Sequence, residues 1–247
     1  MADYAHKAAT TGSIYLETIA EFDLYCHYVA GLVGEGLSRI FSASGKEVPS
    51  LGTQLELSNS MGLLLQKTNI IRDFREDVDQ QRYFWPREIW GKKEYGFVEM
   101  KEMYATDPDT MRRASYAQSG MILDALRHTT DSLDYLRMLR NQSVFNFCAI
   151  PAAMAIATLE LCFMNKQMFQ RNIKIRKAEA AKVRFPLYAI GNERFILSPA
   201  HHAFNKPKRG RPYFPRIRAK DPQQSKPCGP QLYPYFCRMR QGSYIFG

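Results

Sequence analysis

The chain has 247 residues, enough to bury a large core in one domain or to hold one domain with a tail. Its formal charge of +10 is uneven: residues 1–182 carry 22 Lys/Arg against 22 Asp/Glu, whereas residues 183–247 carry 12 against 2, with 9 of the 13 prolines. The basic balance therefore belongs to the tail and is no reason to give the rest a nucleic-acid partner. Five cysteines (Cys26, Cys148, Cys162, Cys228, Cys237) form no CxxC pair, which excludes a zinc ribbon and a paired disulfide framework. The opening MADYAHKAATTGSIYLETIAEF lacks the basic-then-apolar pattern of a secretory signal.

Met1 to Phe41 reads as helix, with a short first piece ending in Thr-Thr-Gly and a longer one beginning near Thr18. In FDLYCHYVAGLVGEGLSRIF the apolar residues recur at three- and four-residue steps, and Ala30, Gly31, Gly34 and Gly36 crowd small residues into the same helix. Glycine in a helix costs about 1 kcal/mol against alanine, so something must approach that face closely. A neighbouring helix is the commoner cause, and a long apolar ligand the other. Tyr25 on its own reads as a packed core tyrosine, and His27 as a structural histidine. SASGKEVPSLG is loop.

The stretch from Ser58 to Arg82, SNSMGLLLQKTNIIRDFREDVDQQR, carries the chemistry. As one helix it sorts Ser58, Asn59, Gly62, Gln66, Asn69, Asp73, Asp77 and Gln80 into a stripe, with Leu57, Leu64, Ile71, Phe74 and Val78 on another flank. Amides and carboxylates in so apolar a run predict a polar-lined cavity. Asp73 and Asp77 stand one turn apart, about 6 Å along the axis. Two hard oxygen ligands at that spacing suit Mg²⁺, which completes its shell with water and phosphate. Arg72, Arg75, Arg82 and Arg87 surround the pair, and arginine clamps phosphate bidentately. A solvated acidic helix end is the plainer alternative. Beyond it, YFWPREIWGKKEYGF predicts an aromatic cap over the metal end.

Asp107 to Arg140 is again helical in pattern, with Pro108 in the first turn. Val144 to Met164 is long and apolar enough to raise the question of a membrane span, but Asn146, Pro151 and Glu160 interrupt it and a buried core helix is expected. Phe145 and Phe147, two apart, read equally well as core residues or as an aromatic wall against a cation. Lys174, Arg176 and Lys177 in NIKIRKAEAAK read as a solvated basic face or a phosphate contact.

Four blocks, in order, resemble squalene synthase of a fungal kind: YCHYVAGLVGEGLSRIFSAS, NSMGLLLQKTNIIRDFREDVDQQRYFWPREIW, LRNQSVFNFCAIPAAMAIATLELC and KIRKAEAAK. The resemblance covers about residues 2–182. It implies an all-α isoprenoid-synthase fold and an enzyme that joins two farnesyl diphosphates head to head into presqualene diphosphate. NADPH then reduces that intermediate to squalene, with Mg²⁺ as the metal. By the same resemblance Asp73 and Asp77 hold the metal, Gln66, Asn69 and Arg82 line the diphosphate pocket, and Tyr25 is the catalytic tyrosine. Phe145 and Phe147 shield the carbocation, and Arg72, Lys174 and Arg176 meet the phosphates of NADPH. A monomer at the cytosolic face of the endoplasmic reticulum membrane is implied, with no nucleic-acid partner.

Two departures qualify those expectations. Family members begin well before Met1 with a portion carrying a first aspartate-rich motif, which residues 1–24 do not supply, so impaired activity is expected. From Val183 the Pro/Arg-rich sequence matches nothing in the family and is expected to be disordered, with 1–182 as a partial synthase domain. The chain has no evident membrane anchor and is open to a cytosolic location. A phytoene-synthase-like condensation on geranylgeranyl diphosphate and a non-catalytic prenyl-diphosphate binder are the alternatives.

Overall fold

The computed structural model describes residues 2–176 of the chain. The expected tail at 183–247, the boundary at Lys182, and Lys177, Cys228 and Cys237 lie outside them. Helix α1 (Ala2–Thr11) ends at Gly12, whose φ of 72° turns the chain out of the helix. A two-residue strand β1 (Ile14–Tyr15) follows, then α2 (Ile19–Cys26). Thr18 caps α2 by accepting from Glu21 N, while the Glu21 carboxylate accepts from Thr18 N, a reciprocal capping box that sets where α2 begins.

A π-helical turn (His27–Gly31) joins α2 to α3 (Leu32–Ala43), and a 3₁₀ turn (Pro49–Thr53) leads into α4 (Leu55–Arg72). The expected single helix from Ser58 to Arg82 is broken. Asp73, at φ −92° and ψ 15°, separates α4 from a short α5 (Phe74–Asp79), and Gln81 at φ 60° turns the chain into strand β2 (Arg82–Tyr83). β2 pairs in parallel with β1, Ile14 opposite Arg82 and Tyr15 opposite Tyr83. That pairing, invisible in the helical periodicity, fixes the backbone that carries Arg82.

α6 (Arg87–Trp90), a 3₁₀ turn (Met100–Tyr104), α7 (Pro108–Leu126), α8 (Thr129–Met138), α9 (Gln142–Cys162) and a last 3₁₀ turn (Lys166–Phe169) complete the described residues. Asp107 caps α7 through Thr110 N with Pro108 behind it, as the sequence predicts. The helical pattern over 107–140 is nonetheless two helices, because the chain bends at Arg127–His128.

α4 is the axis of the molecule: α2, the π-helical turn, α3, α7, α8 and α9 all pack on it. The larger core cluster gathers Phe22, Leu64, Ile71, Phe74, Trp85, Trp90, Met121 and Phe169, and a smaller one gathers Leu51, Met61, Tyr135 and Ala152. The aromatic run after α5 belongs to the core, and its Phe84 stacks on Tyr25. Trp85 is buried, its ring centroid 4.4 Å from that of Phe74, and its indole donates to Ile70 O at 3.4 Å. α9 is less buried than expected. It turns Ala149, Ala152, Ala155, Leu159 and Cys162 inward, but only 33% of its most apolar window is buried, and it is long and apolar enough to span a membrane, a property that core helices share.

The small residues are explained by helix packing. A Cβ on Gly62 would stand 2.6 Å from Ala30 O and 2.9 Å from Gly31 Cα, and one on Gly34 2.6 Å from Ser58 O. Gly36, on the open side of α3, has nothing within 4 Å of such a Cβ. Gly62→Ala is therefore expected to lower stability by about 1–3 kcal/mol in urea unfolding. Gly36→Ala should be neutral or raise stability by up to about 1 kcal/mol. Equal effects at the two positions would contradict the packing.

Candidate functional site

The acidic end of α4 is built by the break at Asp73. Because α4 stops there and α5 restarts, with Asp77 N donating to Asp73 O at 2.9 Å, both carboxylates stay at one end of the α4–α5 unit. The Asp73 carboxylate accepts two hydrogen bonds from Arg72, Nε to Oδ1 at 2.9 Å and Nη2 to Oδ2 at 2.6 Å, with both side chains partly exposed. Asp77 is buried, and its Oδ1 accepts from Arg82 Nε at 3.1 Å and Nη2 at 2.7 Å.

Burial pushes the Asp77 carboxyl upward; the Arg82 hydrogen bonds and charge oppose this, Asp73 and Glu76 add to it, and the net shift is above the ordinary carboxylate range. Tyr25 belongs to the same end. Its ring is buried, 4.9 Å from Phe84 in a stack and 5.2 Å edge-on from Tyr4. Burial, with Cys26 and the Asp77 charge adding, pushes its hydroxyl up to about 12, while Arg82 pulls the other way. Tyr25 is thus a neutral hydroxyl at physiological pH within the fields of Asp77 and Arg82.

The predicted stripe does not line one polar cavity. Ser58 is buried, Asn59 Oδ1 accepts from His27 Nδ1 at 2.8 Å, Gln66 is half-buried, and Asn69 and Gln80 are exposed. His27 is the structural histidine the sequence predicts. The polar residues that fit no partner in the sequence find one in a neighbouring helix or in solvent.

At the far end of α4 lies an apolar cavity of about 250 Å³, walled by Val29, Val33, Leu37, Met61, Gly62 and Phe147 among others. From Gly62 to Arg72 is ten residues, roughly 15 Å along the axis. Phe147 is 58% exposed and meets Phe41 edge-on at 6.1 Å, while Phe145 packs half-buried against the smaller core cluster. The two phenylalanines do not share a wall with Tyr25.

The segment after α9 runs beside α5. Arg75 Nη1 donates to Phe169 O at 3.4 Å and Asn172 Nδ2 to Glu76 Oε2 at 2.6 Å, with Ile173 buried in the core. Lys174 and Arg176 follow, exposed, in non-helical chain near the acidic end, and Arg72 is held by Asp73. The donor set suits the expected Mg²⁺ in kind: hard oxygens, with one buried carboxyl raised in part by its acidic neighbours, a repulsion that a cation would relieve. Among the described residues no three His, Cys, Asp or Glu side chains form a metal cluster, so water and phosphate would supply the remaining ligands.

Sequence reasoning missed a buried charge cluster. Lys67 is fully buried, paired with Asp23 and Asp124, and Arg127 joins the same two carboxylates. Its signal was present as one charge inside each of three apolar helical runs, LLLQKTNII, FDLYC and MILDAL. Buried charges demand partners, so the three charges could have been matched to one another.

The helical architecture, with an acidic, arginine-flanked end and an apolar cavity along one long helix, is that of the isoprenoid-synthase fold. The chain belongs to the Squalene/phytoene synthase family, which matches residues 1–179. It is 63% identical over 191 residues to the squalene synthase of Ganoderma lucidum, covering 74% of this chain and 40% of that protein. Against the Schizosaccharomyces pombe squalene synthase identity is 51% over 183 residues, covering 74% and 39%, and against the Mus musculus enzyme 49% over 180 residues, covering 73% and 40%. A solved complex of TcSQS with the ligand BPH1237 superposes with a TM-score of 0.65 at 41% identity, over 73% of this chain and 55% of that one. The chain therefore spans about two-fifths of the length of the curated relatives it matches. The likeness is to squalene synthases, and phytoene synthesis is not favoured.

His128 generates a pH prediction. Burial, with Lys67 and Arg127 adding, pulls its pKa from the ordinary 6.5 down to about 3, and Asp23 opposes the shift. The folded chain keeps it neutral while the unfolded chain takes up a proton, so this contribution to stability is lost as pH falls from about 6.5 towards 3. His128→Gln should flatten the slope of unfolding free energy in that window by up to about 1.4 kcal/mol per pH unit. An unchanged slope in urea titrations at pH 4, 5 and 6 would contradict it.

Proposed function

We propose that this unit binds the diphosphate of farnesyl diphosphate with Mg²⁺ at Asp73 and Asp77 and serves squalene synthesis. In that reading two farnesyl diphosphates condense head to head to presqualene diphosphate, which NADPH reduces to squalene at the cytosolic face of the endoplasmic reticulum membrane, the protein acting as a monomer. The observation that carries it is the pairing of buried Asp77 with Arg82 beside Tyr25, at one end of the helix whose other end walls an apolar cavity.

The chemistry follows from charge. An allylic diphosphate ionises only if the leaving group is neutralised, and bound Mg²⁺ would supply that at the two carboxylates. Arg72 and Arg82, now engaged by Asp73 and Asp77, are the guanidinium groups able to turn to phosphate oxygens once a cation takes their place. Gln66 and Asn69 precede Asp73 along α4 and offer amides to the same anion. Tyr25, neutral and shielded by Phe84 and Tyr4, holds its proton close to the departing diphosphate and can donate it there.

The cavity suits the prenyl chain. Its lining is mostly apolar and suits the contact surface of a prenyl chain. Phe147 faces that cavity, which supports a role along the chain, and Phe145 lies behind it. We assign the dinucleotide's phosphates to Lys174, Arg176 and Arg72, which stand near the acidic end.

Isothermal titration of the chain with farnesyl diphosphate should show binding that requires Mg²⁺. Asp77→Asn should weaken it at least about tenfold, ~1.4 kcal/mol. Wild-type chain that binds equally well with EDTA, or does not bind, would remove the reading. Adding NADPH and analysing products with farnesyl and geranylgeranyl diphosphates separates squalene from phytoene chemistry.

A further inference from the structure

The Lys67 ammonium pairs with Asp23 and Asp124, neither of them assigned to the diphosphate site, and Lys67 is fully buried at the middle of α4. Its Nζ lies 2.5 Å from Asp23 Oδ1 and 2.5 Å from Asp124 Oδ2, and 4.9 Å above the Phe22 ring. Arg127 closes the ring of charges, with Nε donating to Asp124 Oδ1 at 2.8 Å and Nη2 to Asp23 Oδ2. Two cations and two carboxylates thus come from α2, from α4 and from the end of α7, with no net formal charge. Burial works to raise the Asp23 carboxyl, but Lys67 and Arg127 outweigh it and hold it below the ordinary range, so Asp23 stays ionised at neutral pH.

Cohesion alone does not call for such a cluster. Apolar side chains of like volume often hold a core as well as a buried ion pair does, or better. What ions add is geometry: a carboxylate must reach the ammonium at bonding distance, which fixes where its helix sits and how it is rotated. α2 runs without a break through a π-helical turn into α3, and that wider turn offsets the rotation of α2 from that of α3, so packing along α3 does not by itself set it. Asp23 and Tyr25 are two residues apart, roughly 200° around the helix. The cluster therefore grips one side of α2 while Tyr25 leaves the other side, towards Phe84 and the acidic end.

We propose that Lys67 is a positioning residue: by drawing Asp23 and Asp124 to one buried ammonium it locks the rotation of α2 against α4 and α7 and holds the Tyr25 ring against Phe84. The inference rests on the reading of Tyr25 as part of the diphosphate site, and it makes the spacing from Asp23 to Tyr25 a functional dimension of the chain. Lys67 acts through α2 and never meets the substrate.

The test places 3-fluorotyrosine at position 25 by site-specific incorporation and reads its ¹⁹F line, with thermal unfolding followed on the same samples. The wild-type chain should give one narrow line. In the neutralised variant Asp23→Asn/Lys67→Met/Asp124→Asn the line should move by more than its own width, even where the unfolding temperature is retained. A folded neutralised variant with the line in its native place and shape would overturn the proposal. Should that variant fail to fold, Asp23→Leu decides. It leaves Lys67 paired with Asp124, and a shifted line supports the pin while an unmoved one overturns it. Mg²⁺-dependent binding of farnesyl diphosphate, titrated on the wild-type chain, reports separately on the site. A shifted line together with no binding would remove the proposed function and keep the pin.

Discussion

The backbone approach of α4 to the turn between α2 and α3 governs this molecule. Gly62 lies so close to Ala30 and Gly31 that no side chain fits between them, and Gly34 meets Ser58 in the same way. Such contact aligns α4 with the α2–α3 strand of chain over several turns and leaves its remaining faces for α7, α8 and α9. One consequence is the apolar cavity. Small residues bring the backbones together at Gly62, while the larger Met61, Leu65 and Phe147 around it stand off from one another and enclose space. The other consequence is directional, because a helix fixed at its middle carries its far end to a definite place, and that end bears Asp73.

Much of this was legible in the sequence. The crowding of glycine and alanine at 30–36 and at 62 announced a close approach, and the Thr18 and Asp107 caps announced where helices begin. The order of Asp73, Asp77 and the nearby arginines announced an anionic end. What periodicity could not give was the break at Asp73. A stretch of consistent 3.6-residue pattern reads as one helix, and neither the turn at Asp73 nor the pairing of β2 with β1, 68 residues away in sequence, leaves a mark in it. The same limit applies to Arg127–His128, where two helices of compatible pattern meet at a bend. Local pattern reports which face is apolar and is silent about where tertiary contacts turn the chain.

The polar stripe teaches a related lesson about buried groups. Seven side chains and a glycine on one face suggested a shared cavity, yet each resolves its polarity separately: Asn59 with His27, Asp73 with Arg72, Asp77 with Arg82, Asn69 in solvent. The residue that did require a shared buried environment was Lys67, which lies off that stripe. A lone lysine between Gln66 and Thr68 looks like a snorkelling surface residue until the two carboxylates that must meet it are found on other helices. Sequence shows that a charge sits in an apolar run. Only the packing of three helices shows which partners reach it.

These two kinds of contact divide the work of the fold. Glycine-mediated packing is permissive: it lets α4 approach, and it tolerates rotation about the axis because backbone meets backbone without a directional bond. The Lys67 cluster is directional, since each carboxylate has to arrive from its own helix at hydrogen-bond distance. The function proposed for this unit would draw on both properties. Close packing shapes the apolar cavity, and a fixed rotation of α2 aims the Tyr25 hydroxyl at the acidic end. The separation along α4 between Gly62 and Asp73 would then set how much apolar chain can lie between the cavity and a bound diphosphate, so that the length of one helix acts as a ruler.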